Sequence, residues 1–75
     1  MSNLPILKPR EVEKILFRLG FILVRQRGSH RQYRHPDGRV TTIPFHTNKD
    51  ISPILLRLIV KEVGLAIEDF LKERK

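Results

Sequence analysis

The chain has 75 residues, with 15 Lys or Arg against 8 Asp or Glu, a formal net charge of +7 with the histidines neutral. That length excludes a multidomain enzyme and a deep, fully enclosed cofactor cavity, because so short a chain builds only one thin core. The absence of cysteine excludes disulfides, thiolate zinc sites and a cysteine nucleophile.

The first seven residues read as a loose arm. No charged segment followed by a sustained apolar stretch marks a secretory signal there, and no apolar run approaches the ~18–20 residues that span a bilayer. A cytoplasmic protein without a membrane partner is therefore expected. Pro9 suits the first turn of a helix, where its missing N–H does no harm. Val12, Ile15, Leu16 and Leu19 recur at helical spacing as one apolar stripe. Glu11 and Glu13 favour the helix start, and Gly20 is the expected C-terminal cap residue.

Residues 21–27 are β-rich and predict a strand that Gly28 ends or bulges. Residues 30–35 predict a second strand, Pro36-Asp37-Gly38-Arg39 a turn, and 40–45 a third strand. Short connections between them make an antiparallel meander. Ser52 and Pro53 open another helix, as cap and first helical residue, and Gly64 closes it. Its apolar residues cover more than the ordinary ~100° stripe, so it needs cover on more than one side. The sheet can supply one side, and a short amphipathic segment at 66–75 another. The predicted class is α+β, in the order α-β-β-β-α with a three-stranded antiparallel sheet and a short extra C-terminal helix. It forms a single domain over 1–75, with its core at about 8–65. Helices cover one face of the sheet, leaving the other to solvent or ligand.

The charge is segregated. Residues 1–49 carry ten Lys or Arg and three acids, the whole surplus, whereas 50–75 carry five of each. Between Lys14 and Pro36 there is no acid, while Arg18, Arg25, Arg27, Arg31 and Arg34 all fall there. Such a one-sided excess concentrates and steers polyanions, and arginine suits phosphate. Nucleic acid is the expected partner, although basic residues also merely keep small proteins soluble.

Few residues can carry chemistry. His30 follows Gly28-Ser29 at the start of the second strand, amid arginines. RNA cleavage requires the 2′-hydroxyl to lose a proton, the phosphorane to be stabilised and the 5′-oxygen to gain a proton. Imidazole can make either transfer near neutral pH, arginine can stabilise the phosphate, and no metal is required. On spacing alone a lone strand histidine is more often structural. Gly28 serves either a bend or a close phosphate approach, and Ser29 is more often a local hydrogen-bonding residue than a nucleophile. If residues 36–39 form a four-residue loop, His35 faces Val40, His30 faces Phe45, and His46 lies close to His30 as a second acid/base. His35 itself reads as a solvated strand-end residue. The three histidines lack metal-ligand spacing, so neither metal nor cofactor is expected. Phe21, Tyr33 and Phe45 could stack on bases, but aromatic strand residues are more often core.

The stretch Arg25-Gln26-Arg27-Gly28-Ser29-His30, followed by Tyr33-Arg34-His35-Pro36-Asp37-Gly38-Arg39, Ile43-Pro44 and His46, resembles the HicA toxins, and Leu56 and Val63-Gly64-Leu65 fit the helix that closes those domains. The resemblance covers about residues 8–65. It implies a double-stranded-RNA-binding-like fold and a metal-independent mRNA interferase in which His30, the histidine of Gly-Ser-His, is catalytic. It also implies neutralisation by a HicB-type antitoxin. Arg31 and Gln32 depart from the less charged residues frequent there. On this reading mRNA is bound through Arg25, Arg27, Gly28, Ser29, Arg31, Lys8 and Lys14, with Arg27 or Arg31 at the phosphorane. A non-catalytic double-stranded-RNA-binding-like module is the alternative. The wide apolar helix at 52–63 leaves room for an antitoxin-binding or homodimer patch.

Overall fold

The computed structural model describes residues 4–46 and 49–74. The elements follow as α1 (Pro9–Arg18), β1 (Ile22–Arg27), β2 (His30–Arg34), β3 (Val40–Pro44), α2 (Pro53–Val63) and α3 (Ile67–Lys72), with the strands in one antiparallel sheet of order β1-β2-β3. This is the expected α+β order.

Local chemistry accounts for the helix ends. Glu11 accepts the Lys8 N–H at 2.8 Å, which satisfies an amide at the N-terminus of α1. At the other end Gly20 has φ 97°, and the Phe21 N–H bonds the Leu16 carbonyl at 2.9 Å, closing a Schellman-type turn. Glycine is favoured there by φ, and a Cβ would also stand a tight 3.1 Å from His35 Nε2, which would have to shift by a few tenths of an ångström. Ser52 caps α2 by accepting the Leu55 N–H at 3.1 Å.

One cluster forms the core: Val12, Ile15 and Leu16 from α1, Tyr33 and Ile43 from the sheet, Leu56, Ile59, Val60 and Val63 from α2, and Phe70 from α3, with Phe21 between elements. α3 thus gives α2 its second cover, as the sequence requires. Its C-terminal end is also tied to α1, where Arg18 Nη1 donates to the Glu73 carbonyl at 3.0 Å. The cover is incomplete: Ile54 is 84 % exposed and Leu58 50 %.

Three expectations are corrected. Leu7 is not part of a loose arm. It is fully buried and accepts the Ile51 N–H at 2.8 Å, an isolated bridge that anchors the entry to α1; residues 1–3 lie outside the described residues. The β2–β3 register differs by one residue: Arg34 faces Val40 and His30 faces Pro44. The cause is the loop, which takes three residues, 36–38, and not four: the His35 N–H bonds the Arg39 carbonyl at 2.8 Å, and Gly38, with φ 101°, turns the chain back one residue earlier. The His35 ring packs edge-on against Phe21 at 5.2 Å and its Nδ1 accepts the Asp37 N–H at 3.1 Å. His35 is a half-buried turn residue, not a solvated one. Of the two expected roles of Gly28 the first holds: it ends β1 in a two-residue hairpin turn with φ 57°, and the bulge lies earlier, between Leu23 and Arg25. No atom stands near a Cβ built on Gly28, so its conformation alone explains the glycine.

Arg39 locks the turn to α2. Its Nε donates to both Asp37 carboxylate oxygens at 3.0 and 2.9 Å, and its Nη1 donates to the Val63 carbonyl at the end of α2. The side-chain bond to Arg39, then the Arg39 backbone N–H, hold the Asp37 carboxyl down at about 2.

Two predictions follow from these turns. Gly20→Ala should cost roughly 1–3 kcal/mol in urea unfolding, because the strained backbone and the His35 ring both oppose it. Gly28→Ala, whose Cβ meets nothing, should cost less. Asp37→Asn should melt below the wild type at neutral pH. The folded pKa lies below the unfolded one, so the stabilisation is present above the ordinary carboxylate range and disappears as the pH falls through about 2. The two melting temperatures should converge there.

Candidate active face

Register assigns each strand residue to a face, since directly opposed residues share one. Arg27, His30 and Pro44 form one row, Arg25, Gln32 and Thr42 the next, and Ile22, Arg34 and Val40 the third. This is the open face. The helix-facing rows are Leu23, Tyr33 and Thr41, then Gln26, Arg31 and Ile43. The pleat of β2 therefore sends His30 and Arg31 in opposite directions.

On the open face His30 is exposed at the start of the central strand, with Arg27 directly opposite and Arg25 in the adjoining row. His46 stands edge-on to His30 at 6.1 Å between ring centroids. The expected proximity is present even though the register differs, because the Phe45 N–H bonds the Ser29 carbonyl at 2.5 Å and carries the chain on past β3 beside the β1–β2 turn. His35 sits at the opposite end of β2, so the three histidines do not converge. From His30 a groove of about 580 Å³ runs between β3 and α2, with Gln32 and Thr42 beside Leu55, Leu58 and Glu62.

On the helix side Arg31 Nη1 donates to Glu13 Oε2 at 3.1 Å, and the Tyr33 hydroxyl donates to the same oxygen at 2.5 Å. The Arg31 guanidinium lies 4.0 Å over the Phe45 ring. Burial pushes the Tyr33 phenol well above its ordinary value, and the hydrogen bond and charge of Glu13 add to the shift. Tyr33 is fully buried and Phe45 half-buried, so the former is core and the latter a platform under a cation.

The sequence-predicted residues thus separate. Arg25, Arg27 and His30 share one face, with Gly28 and Ser29 in the turn beside them. Arg31 and Lys8 instead border a pocket on the N-terminal side of α1, which His46 joins. Lys8 there is ion-paired to Asp50 at 2.7 Å. Lys14 is exposed on α1 and lines neither concavity. Sequence reasoning missed Glu13, taken only as a helix-start acid, and Arg10 and Lys49, which line the pocket. Arg34, which belonged only to the basic run, stands on the open face. Strand alternation on β2 was the available signal for Arg34. None pointed to Lys49.

A family model described as the HicA toxin of bacterial toxin–antitoxin systems matches residues 9–65. The match takes in α1, the whole sheet and α2 and stops before α3. No curated protein matches the chain.

Tyr33→Phe should cost about 1.5–3 kcal/mol in chemical denaturation, the range for a hydrogen bond to a charged group. A neutral result would mean that Glu13 does not hold β2 through the phenol.

Proposed function

The chain belongs to the HicA toxin family, and from that premise we propose that it is a metal-independent endoribonuclease that cleaves mRNA with His30 as the acid/base group. The observation that carries this reading is the pairing of His30 and His46 at 6.1 Å on a face where Arg27 and Arg25 flank the first histidine. The catalytic unit is one domain over residues 1–75, with its core at about 8–65.

In this mechanism the RNA backbone lies across the open face with its phosphates against Arg25 and Arg27. His30 takes the 2′-hydroxyl proton, the 2′-oxygen attacks the adjacent phosphorus, and the bond to the 5′-oxygen breaks. His46 delivers a proton to that 5′-oxygen. The products are a 2′,3′-cyclic phosphate and a 5′-hydroxyl, so atoms and protons balance without a metal. Arg27, directly opposite His30, stabilises the phosphorane charge. Arg31 is held by Glu13 on the other side of the sheet, which favours Arg27 over Arg31 for that role. The Gly28-Ser29 turn sets the start of β2 and hence the position of His30.

A HicB-type antitoxin would neutralise the enzyme by covering this face in the cytoplasm. Leu58, exposed on α2, and Val40, 39 % exposed on β3, line the groove beside His30, and they and the exposed Ile54 of α2 give such a partner apolar area to bury.

Purified protein incubated with single-stranded RNA in EDTA should yield cyclic-phosphate products. His30→Ala should reduce the rate by about 10²-fold or more with the circular dichroism spectrum unchanged, a typical loss for a proton-transfer group. A substrate with 2′-deoxyribose at the cleavage position should be inert. Binding without products would favour the non-catalytic RNA-binding module. Full activity in His46→Ala would remove the second histidine from the mechanism and leave His30 in it.

A further inference from the structure

On the side of the sheet away from the open face, Lys8, Arg10, Arg31, Phe45, His46 and Lys49 line an open pocket of about 470 Å³. No carboxylate is among its lining residues. The two acids that serve it stand behind the cations: Asp50 holds Lys8 and Glu13 holds Arg31. Arg10 and Lys49 have no ion-pair or side-chain hydrogen-bond partner among the described residues, although both are exposed and close to this concavity. Arg31 Nε is buried without a hydrogen-bond partner, an N–H donor deprived of water.

Clustering cations around a cavity costs repulsion, and an orphaned guanidinium N–H adds a desolvation penalty. An anion in the pocket would offset the repulsion and lie close to the Arg31 charge. Phe45 adds an apolar floor, its ring centroid 4.0 Å from the Arg31 guanidinium carbon. His46 is the connection to the open face, since it both lines the pocket and stands beside His30.

We propose that this pocket is a second phosphate subsite, which holds a flanking phosphate of the RNA strand whose scissile phosphate lies at His30. The strand bends around the His46 corner from the open face into the pocket. Arg10 and Lys49 grip the flanking phosphate there, and Arg31 supplies a fixed charge from the wall. The inference rests on the RNA-cleaving reading above and adds a site which that mechanism does not use.

Binding of a fluorescein-labelled single-stranded RNA hexamer tests it, measured by anisotropy across a salt series in EDTA. The protein is the full chain carrying His30→Ala, so that the RNA stays intact. In that background Arg10→Gln/Lys49→Gln should weaken binding roughly tenfold near physiological salt and lower the salt slope by about 1, as loss of one phosphate contact does. Arg57→Gln/Lys61→Gln removes the same charge from α2, which lines no part of the pocket, and should change affinity by no more than about twofold. If the two double variants behave alike while Arg25→Gln/Arg27→Gln still loses affinity, the subsite is overturned and the RNA reading stands. If inorganic phosphate shifts the Arg10 and Phe45 amide resonances of the protein but RNA affinity ignores Arg10→Gln/Lys49→Gln, the pocket takes only free anions, and the proposal is likewise overturned. Failure of the His30→Ala protein to bind RNA at all would overturn both.

Discussion

Strand β2 is five residues long, and its pleat assigns alternate side chains to two different tasks. His30, Gln32 and Arg34 face outward, while Arg31 and Tyr33 face the helices. A shift by one residue would bury the histidine and expose the tyrosine. The register is therefore the constraint on which both core and working face depend, and much of the remaining structure holds it. The two-residue turn at Gly28-Ser29 fixes one end of β2. His35, whose N–H bonds the Arg39 carbonyl and whose ring packs on Phe21, fixes the other. Glu13 fixes the middle by accepting from both Arg31 and Tyr33.

The Glu13 contact also explains how a thin core tolerates an arginine on its inner side. A guanidinium in such a place needs a countercharge and a surface that matches its planar shape, and Glu13 and the Phe45 ring supply them. Replacing Glu13 would leave Arg31 and the Tyr33 hydroxyl both unsatisfied, so a single carboxylate oxygen couples α1 to the central strand. That coupling matters more in a chain of this size, because β1 has no buried residue at all and adds little apolar packing to the sheet.

Element types and order could be read directly from the sequence, because the apolar stripe of α1, the capping residues of α2 and the turn chemistry are local signals. The exposed histidine and its arginine neighbours were legible for the same reason. What local pattern cannot carry is which distant groups meet. Leu7 shows no periodicity, and its burial comes from a bridge to Ile51 far along the chain. The β2–β3 register turned on whether the loop took three residues or four, and the backbone bond from His35 to Arg39 that closes it at three is not written in propensity. Arg31 resembled its neighbours in a basic run until alternation placed it against Glu13. The pocket joins Arg10 with Lys49 and so required the tertiary fold.

The tertiary fold also divides the basic surplus into structural and available charge. Of the ten Lys and Arg in residues 1–49, Lys8, Arg18, Arg31 and Arg39 are tied to carboxylates or backbone carbonyls of other elements or of a turn. Arg10, Lys14, Arg25, Arg27, Arg34 and Lys49 have no such partner among the described residues. Unpaired cations on so small a body repel one another and do nothing for its stability. Three of these six nonetheless share the face of His30, and two more line the pocket that His46 joins to it. Arg57 and Lys61 on α2 likewise lack such a partner among the described residues, but α2 and α3 together carry three acids against three bases, so the surplus of the chain lies with the cations of residues 1–49. Their concentration around one pair of histidines is the arrangement expected of a surface whose countercharge arrives with the ligand.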